Sequence, residues 1–511
     1  MRALLIAERG VVAVRIARAC ADLGVRSIAV HADDDAGSLH VAAADEAFAL
    51  PSVPGDLDGY RDMQALLDVA ERSGADAVHP GCGPLSENAE FARRVVAAGL
   101  TWVGPDPETM ELLGDKVSAR ALAEEVGAPL VVGTSRAIRR ADEAVAFAQR
   151  HGLPVALKAA HGGGGQGLRV ARRLDEVADL LDSAVRESAS VFGRGEVFVE
   201  QYLDRPRHVE AQVLGDGEGG VVVVGTRDCS TQRRHQKLVA EAPAPFLDDE
   251  QLAVVTDVSV ALCSSVRYRG AGTVEFLVSQ AGVVSFLEVG TALSVEHALT
   301  EQVAGVDLVR QQLLVAQGLP TEVLETPTPV GHAVSFRVTA EDAGRGFLPA
   351  LAPVASLRLP GGPGVRVDEG CATGDELPPG RDPLLLTLVV QGRDRDEALR
   401  RARRALHDLV LEGPVTTVPF HRHLLDEPAF AAPGDEPYAL HTRWIEQECH
   451  WLEALAHRTP EARVGPATLR TVVEVAGRRV PLGLPAALAD TDVVAALVAA
   501  VVETDGGRTA P

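Results

Sequence analysis

Lysine has almost vanished from this 511-residue chain. Only Lys116, Lys158 and Lys237 remain, so 46 of the 49 basic residues are arginine, and asparagine is down to Asn88 alone. Coding drift towards GC-rich triplets produces such a bias, and under it a lysine persists best where a compact ammonium cannot give way to a planar guanidinium. Each surviving lysine therefore asks for a chemical reason. Cysteine is sparse too: residues 20, 82, 229, 263, 371 and 449 are scattered with no CxxC pair, which argues against a zinc knuckle and a disulfide framework and predicts reduced thiols. Long apolar runs are missing. The longest, Val493 to Val502, is far short of the ~20 residues a bilayer span needs. The start MRALLIAERG is too short and too interrupted by charge for a secretory signal, so the expectation is a soluble cytoplasmic protein with no membrane partner. Positive charge is in deficit as well. With 49 basic against 72 acidic residues the formal balance is −23, and no basic patch offsets the repulsion of a nucleic-acid backbone, so nucleic acid is not expected as a partner.

What is present reads as a multidomain α/β and α+β protein. At roughly 100 to 200 residues per domain the length predicts three or four domains. The N-terminal third alternates strand and helix, with Ala3 to Ala7, a helix from about Val11 to Leu23, and the strand Ser27 to His31. The turn after the first strand, Glu8-Arg9-Gly10, has one glycine and no GxGxxG spacing, which argues against a dinucleotide site. The loop HPGCGPLSEN (His79 to Asn88) leads into a helical stretch, Ala89 to Ala98, and is marked as a site loop. Thr109 to Val126 reads as one helix with Lys116 near its middle. A compact unit follows from about Pro129 to Tyr202, and a Pro- and Thr-rich connection begins at Gly318. The tail from about Tyr438 holds two of the three tryptophans and a hairpin-like VVEVAGRRVPLGL. There is no internal repeat.

Three features carry chemistry. Gly162 to Gly165, followed by Gln166 and Gly167, lie between the strands Val155 to Lys158 and Leu168 to Val170; glycine lets backbone amides approach phosphate oxygens, so the loop suits a triphosphate. Because it joins strand to strand and lacks GK[ST], it is a flap over nucleotide and not a Walker A loop. The second feature is TVEFLVSQ and VVSFLEV, which alternate like strands about a two-residue turn at Ala281-Gly282, so that residues whose numbers sum to 563 pair and Glu275 faces Glu288. Opposed carboxylates repel unless a divalent cation joins them, which predicts Mg²⁺ shared with ATP. Third, His235 and Lys237, then Glu296, then Arg337 on the same strand face as Ala333 and Ser335, offer a base, an ammonium and a guanidinium for acyl phosphate chemistry.

The chain then resembles a family. HPGxGxLSEN, GDK, the lysine before the glycine-rich loop, RDCSxQRRHQK, EAPAP, RYRGAGTVEF, and GHAV followed by Arg337 and AED are similar, in this order, to biotin carboxylase, an ATP-grasp enzyme, over about residues 1 to 445. HTRWIEQE and VVEVAGRRVPLGLPA resemble the α chains of actinobacterial acyl-CoA carboxylases, where they lead towards a biotin-carrying domain. The resemblance implies an ATP-grasp fold behind an N-terminal Rossmann-like domain at 1–112. The ATP-grasp domain would span 113–320 with a lid at about 129–202, the C-terminal biotin carboxylase domain 330–440, and a partial extension without a biotinyl domain 441–511. It places Lys116, Lys158, Gly163, Gly164, Gly165, Glu200, Leu203, His208, Gln232 and His235 around ATP and gives Glu275 and Glu288 to Mg²⁺ or Mn²⁺. It assigns Lys237 to bicarbonate or carboxyphosphate, Glu296 to deprotonating bicarbonate, and Arg337 to the biotin enolate. A biotinyl carrier protein, a homo-oligomer or a carboxyltransferase complex would be the partners.

The chain also departs from the family. Where the family reads EMNTRIQVEH this chain reads EVGTALSVEH, so Gly290 replaces a metal-binding Asn, Ala292 a bicarbonate-binding Arg, and Ser294 a Gln. Cys82 and Pro84 replace aromatics, Ala240 a Glu and Gln201 a Lys, while His161 and Gln166 alter the flap. Losing a guanidinium fork removes a strong charge-assisted contact, so the carboxylation of biotin carried on another chain is expected to be impaired. Two alternatives stay open: a non-catalytic ATP-binding partner within a carboxylase complex, and an ATP-grasp ligase for another small acid. Biotin is carried on a lysine amine, and no lysine follows Lys237. The purified chain is therefore expected to be blank on an avidin blot, and a biotin-positive band contradicts this.

Overall fold

The computed structural model describes residues 1–51, 59–134, 136–138, 140–160, 167–192, 195–377, 380–432, 439–456, 468–475 and 478–485. The first layer is a five-stranded parallel sheet of β1 (Ala3–Ile6), β2 (Arg26–His31), β3 (Glu46–Ala49), β4 (Ala77–His79) and β5 (Thr101–Trp102), in the order β3-β2-β1-β4-β5. Both faces of β1 are covered, which is why it reads as an unbroken apolar run. Ala3 and Leu5 join a core with Val30, Leu66, Phe91 and Trp102, whereas Leu4 and Ile6 pack with Ile16 and Cys20 of the helix Gly10–Leu23 and with Leu293, Val309 and Leu313 further along the chain.

Next along the chain is a small α/β unit. Its sheet, ordered β7-β6-β8, contains β6 (Val155–Ala159), β7 (Arg169–Ala171) and β8 (Val197–Gln201), and it has a core of its own that includes Phe147, Leu157, Leu181 and Val199. The expected strand-to-strand connection therefore forms, since β6 pairs antiparallel with β7. Its residues 161–166, with Gly163, Gly164 and Gly165, lie outside the described residues.

The rest of the molecule is organised by one eight-stranded antiparallel sheet. Its strands are β9 (Arg207–Asp216), β10 (Val221–Arg233), β11 (Gln236–Ala242), β12 (Arg269–Val278), β13 (Val284–Gly290), β14 (His332–Thr339), β15 (Val365–Glu369) and β16 (Leu384–Gly392), ordered β13-β12-β9-β10-β11-β14-β16-β15. Pairing of β11 with β14, Glu241 opposite Val334, carries the sheet across the Pro-rich connection, so the middle and C-terminal thirds share a hydrogen-bonded framework. Period-two alternation sets its two faces. On β9, Val209, Ala211 and Val213 pack against Val255, Val258 and Leu262 of the helix Asp249–Ser265, while His208, Glu210 and Gln212 point to the other side. Phe336 and Leu388 anchor the C-terminal core under the helix Arg395–Asp408, and Leu440, Trp444, Ile445 and Leu455 extend that core. The hairpin anticipated near the end forms, pairing Thr468–Val475 with Arg478–Pro485. Among the described residues no helix is long and apolar enough to cross a membrane.

Glu241, on the strand that joins the two halves of the sheet, is buried, takes a 2.9 Å contact from His332 Nε2, and is chelated by Arg395 at 2.7 and 3.0 Å. Burial alone would raise its pKa, but the His332 hydrogen bond and the Arg395 charge outweigh it and hold the carboxyl near about 2. A carboxyl held below its unfolded value stabilises at pH above that value and loses the contribution as pH falls through the folded one. Stability is therefore expected to drop between about pH 4.5 and 2. Glu241→Ala should cost about 3 to 5 kcal/mol at neutral pH, because a buried guanidinium loses its carboxylate. Chemical unfolding at pH 7 measures this, and an unchanged midpoint contradicts it.

Candidate active site

The polar face of the large sheet collects the chemistry in one row. Glu288 on β13 is opposite Glu275 on β12, Glu275 is opposite Glu210 on β9, and Gln232 on β10 is opposite Lys237 on β11, with Arg337 on the adjoining β14. All of these except Glu210, which is fully buried beneath Lys237, line a cavity of about 370 Å³ together with Lys116, Lys158, Glu200, Leu203, His208 and His235. All three lysines meet there. Glu296 is not among the lining residues, but it reaches the cavity through Arg337, whose Nε donates to Glu296 Oε1 at 2.6 Å.

Two local expectations need correction. The Glu275–Glu288 pairing forms as anticipated, but not about a two-residue turn: Val278 pairs with Val284, and the turn spans Ser279 to Val283, with Gly282 at φ +80°. The register shifts between Glu275 and Phe276, because Leu287 is an extra residue on β13. Such a bulge re-aims side chains, and here the consecutive Leu287 and Glu288 both line the cavity. The single helix around Lys116 is in fact two, Pro107–Gly114 and Lys116–Glu125. Asp115 divides them, its carboxylate accepting from the amides of Val117 at 2.9 Å and Ser118 at 3.4 Å as an N-cap does. Lys116 thus opens a helix instead of lying mid-helix, and its ammonium reaches Glu288.

Every one of these cations rests on a carboxylate. Lys116 pairs with Glu288, Lys158 with Glu200, Lys237 with Glu210, and Arg337 with Glu296. At the centre Arg227, fully buried, donates to Glu210 at 2.8 and 3.0 Å, and also to Gln212, Thr300, Thr273 and Ser294. Burial opposes charge on Lys237, yet Glu210 and Glu275 overcome it and push the ammonium pKa well up. The same two carboxylates raise His208 against its own desolvation, and His208 Nε2 lies 2.8 Å from Glu275. His235, in the β10–β11 turn at φ +67°, shifts the other way, because burial and the Lys158 charge both disfavour its cation. Glu296 is kept below its ordinary pKa: burial would raise it, but Arg337 and Lys237 prevail.

Glu275 and Glu288 supply the hard oxygen donors a divalent cation requires, so this donor set fits Mg²⁺. Gly290, two residues beyond Glu288, offers no side-chain ligand; a Cβ built there meets Glu87 Oε1 at 3.7 Å, an ordinary packing distance, so a Cβ there would meet no clash.

The comparisons with known proteins follow the same order along the chain. Residues 1–110 match the biotin carboxylase N-terminal domain, 115–324 the ATP binding domain of the carbamoyl-phosphate synthase L chain, and 335–447 the biotin carboxylase C-terminal domain. The biotin carboxylase of Pseudomonas aeruginosa is 41% identical over 84% of this chain and 96% of its own length. The chain belongs to the biotin carboxylase family. Within it, the biotin-dependent acyl-coenzyme A carboxylase alpha3 subunit of Mycobacterium leprae is 51% identical over 95% of this chain and 81% of that protein. Among solved structures, the Campylobacter jejuni biotin carboxylase in complex with β,γ-ATP superposes with a TM-score of 0.84 at 35% identity, covering 87% of this chain and 98% of that one. The biotin carboxylase domain of Hydrogenobacter thermophilus 2-oxoglutarate carboxylase, solved with MgADP and bicarbonate, also gives 0.84, at 36% identity over 88% and 98%.

Against this biotin carboxylase framework, several departures have structural explanations. Gln201 Nε2 donates to the His151 carbonyl at 2.6 Å, and Ala240 is buried in an apolar cluster with Ala333 and Val389. Ser294 accepts from Arg227 at 3.3 Å and so serves the buried network. Sequence reasoning missed Glu210 and Arg227, although a trace was there: His208, Glu210 and Gln212 alternate with Val209, Ala211 and Val213. His208, Glu210 and Glu275 bring ligand atoms within 4.8 Å of one another, but the Lys237 ammonium already pairs with both glutamates. Arg227→Met is expected to cost about 3 to 5 kcal/mol, since Glu210 would lose the guanidinium that donates two hydrogen bonds to it in a buried site. Equilibrium unfolding measures the loss, and a stability within ~0.5 kcal/mol of the unmodified chain contradicts the central role of this pair.

Proposed function

We propose that this chain is the biotin carboxylase subunit of an acyl-CoA carboxylase system, using ATP and bicarbonate to carboxylate biotin carried on another chain, with its acceptor side impaired. The observation that carries the reading is the meeting of all three lysines, the Glu275–Glu288 pair and Arg337 in one cavity. Lys116 and Lys158 hold the ATP phosphates, and Glu200, Leu203, His208, Gln232 and His235 surround the nucleotide. Mg²⁺ or Mn²⁺, held by Glu275 and Glu288, would neutralise phosphate charge during transfer. Lys237 positions bicarbonate. Glu296, kept ionised by Arg337 and Lys237, takes the bicarbonate proton on Oε2, which has no hydrogen-bond partner among the described residues. Arg337 then stabilises the biotin enolate. A cytoplasmic location, a homo-oligomer or carboxyltransferase complex as the assembly, and division near 1–112, 113–320 and 330–440 belong to the same proposal.

A second reading, a non-catalytic ATP-binding partner, is favoured by Gly290, Ala292 and Ser294, which remove a metal ligand and a guanidinium from the anion end. Each lost charged contact is worth roughly 1.5 to 3 kcal/mol, so two could lower turnover efficiency by about two to four orders of magnitude. ATP hydrolysis with and without bicarbonate and free biotin separates the readings. The proposal expects slow hydrolysis dependent on both, far below ~10 per second, raised about tenfold or more by Gly290→Asn with Ala292→Arg and Ser294→Gln. Hydrolysis indifferent to bicarbonate and biotin in both proteins supports the second reading. Nucleotide affinity unchanged in Lys158→Ala, by calorimetry, contradicts the ATP assignment itself.

A further inference from the structure

We propose that Glu8 is a positioning residue for the acceptor end of the cleft, its carboxylate tying the turn after β1 to the loop after β4 and so fixing the backbone at Cys82. The placement is topological. In the order β3-β2-β1-β4-β5 the chain leaves β1 towards β2 and leaves β4 towards β5, so a crevice opens between the carboxyl ends of β1 and β4, where ligands of open parallel sheets bind. Glu8 spans that crevice. Its Oε1 accepts from the Arg9 amide at 2.8 Å and its Oε2 from the Cys82 amide at 3.0 Å, and the residue is only 6% exposed.

The loop is shaped around this carboxylate. A Cβ at Gly81 would lie 2.5 Å from Glu8 Cβ and Cγ, and one at Gly83 would lie 2.5 Å from Oε2, so both glycines leave room for Glu8. Arg9 sends its guanidinium elsewhere, to Asp35 in a two-bond fork at 2.8 Å each. The Glu8 carboxylate is thus held mainly by amides, an expensive arrangement for a buried charge. Arg337 and Glu296 are among the charges that act on the Cys82 thiol. The latch therefore fixes the backbone of a residue that feels both groups the proposed function gives to the acceptor, and its functional meaning rests on that reading.

Protonation changes what the latch can do. A carboxylic acid turns one oxygen into a donor, and that oxygen no longer accepts an amide in the same geometry. Burial pushes the Glu8 pKa up to about 7, against the pull of the two amides and of Arg9; Asp382, from the segment before β16, adds to the rise. Arg9 from its own turn, Cys82 from the loop after β4 and Asp382 are the titratable and charged groups facing it.

Hydrogen exchange at the Cys82 amide of the full chain, corrected for intrinsic rates between pH 6 and 8, tests the proposal. Protection is expected to be about tenfold greater at pH 8 than at pH 6. Glu8→Gln should lower it about tenfold at pH 8 and abolish the pH step, with Mg-ADP affinity by calorimetry within about twofold. A flat profile in the unmodified chain, or full protection in Glu8→Gln at pH 8, overturns the proposal. If Glu8→Gln does not fold, the unmodified profile decides alone. Failure of the unmodified chain to bind Mg-ADP would strike the nucleotide reading and leave the exchange result standing.

Discussion

Charge pairing across the polar face of a single sheet is what the rest of the site depends on. Lys237 and Arg227 share Glu210 at the centre, and from there the row runs through Glu275 to Glu288 and Lys116 on one side and to Arg337 and Glu296 on the other. Taking these groups out of water costs several kcal/mol each, and only mutual pairing with full hydrogen bonding offsets it. The apolar half of each strand makes the arrangement possible. Val209, Ala211 and Val213 fix β9 against its helix, and alternation then puts His208, Glu210 and Gln212 on the opposite face, where His208 lines the cavity and Glu210 and Gln212 hold the buried Arg227.

Such a cleft is prepared for an anion together with a cation. A phosphate approaching Lys116 competes with Glu288, and a divalent cation on Glu288 would release the ammonium. Metal and nucleotide are therefore coupled through one carboxylate in the proposed function. The two ends of the row differ. At the nucleotide end, Lys116, Lys158 and the carboxylate pair are all in place. At the end that the proposed function gives to the acceptor, Gly290 offers no side-chain ligand and Ser294 is engaged by Arg227.

Much of this was legible in the sequence, for identifiable reasons. The scarcity of lysine drew attention to three positions that the fold brings together, and strand alternation placed Glu275 opposite Glu288. What escaped was set by contacts distant in sequence or by single-residue irregularities. The Leu287 bulge leaves no mark on a period-two pattern, and Asp115 interrupts a helical periodicity that continues in phase on both sides. The Glu210–Arg227 pair became visible only when β9 and β10 were adjacent, and the shared sheet only when β11 met β14 across more than 90 residues. Glu8 looked like an ordinary turn residue because its partner is 74 positions away.

The central claim of the proposed function, an intact nucleotide end beside an acceptor end that has lost part of its anion contacts, is tested most directly by a crystal structure of the chain grown with Mg-ADP and bicarbonate. The account predicts nucleotide phosphates on Lys116 and Lys158, a metal between Glu275 and Glu288, and no ordered bicarbonate between Lys237 and Ala292. An ordered bicarbonate in that position, or a nucleotide bound away from the two lysines, contradicts it.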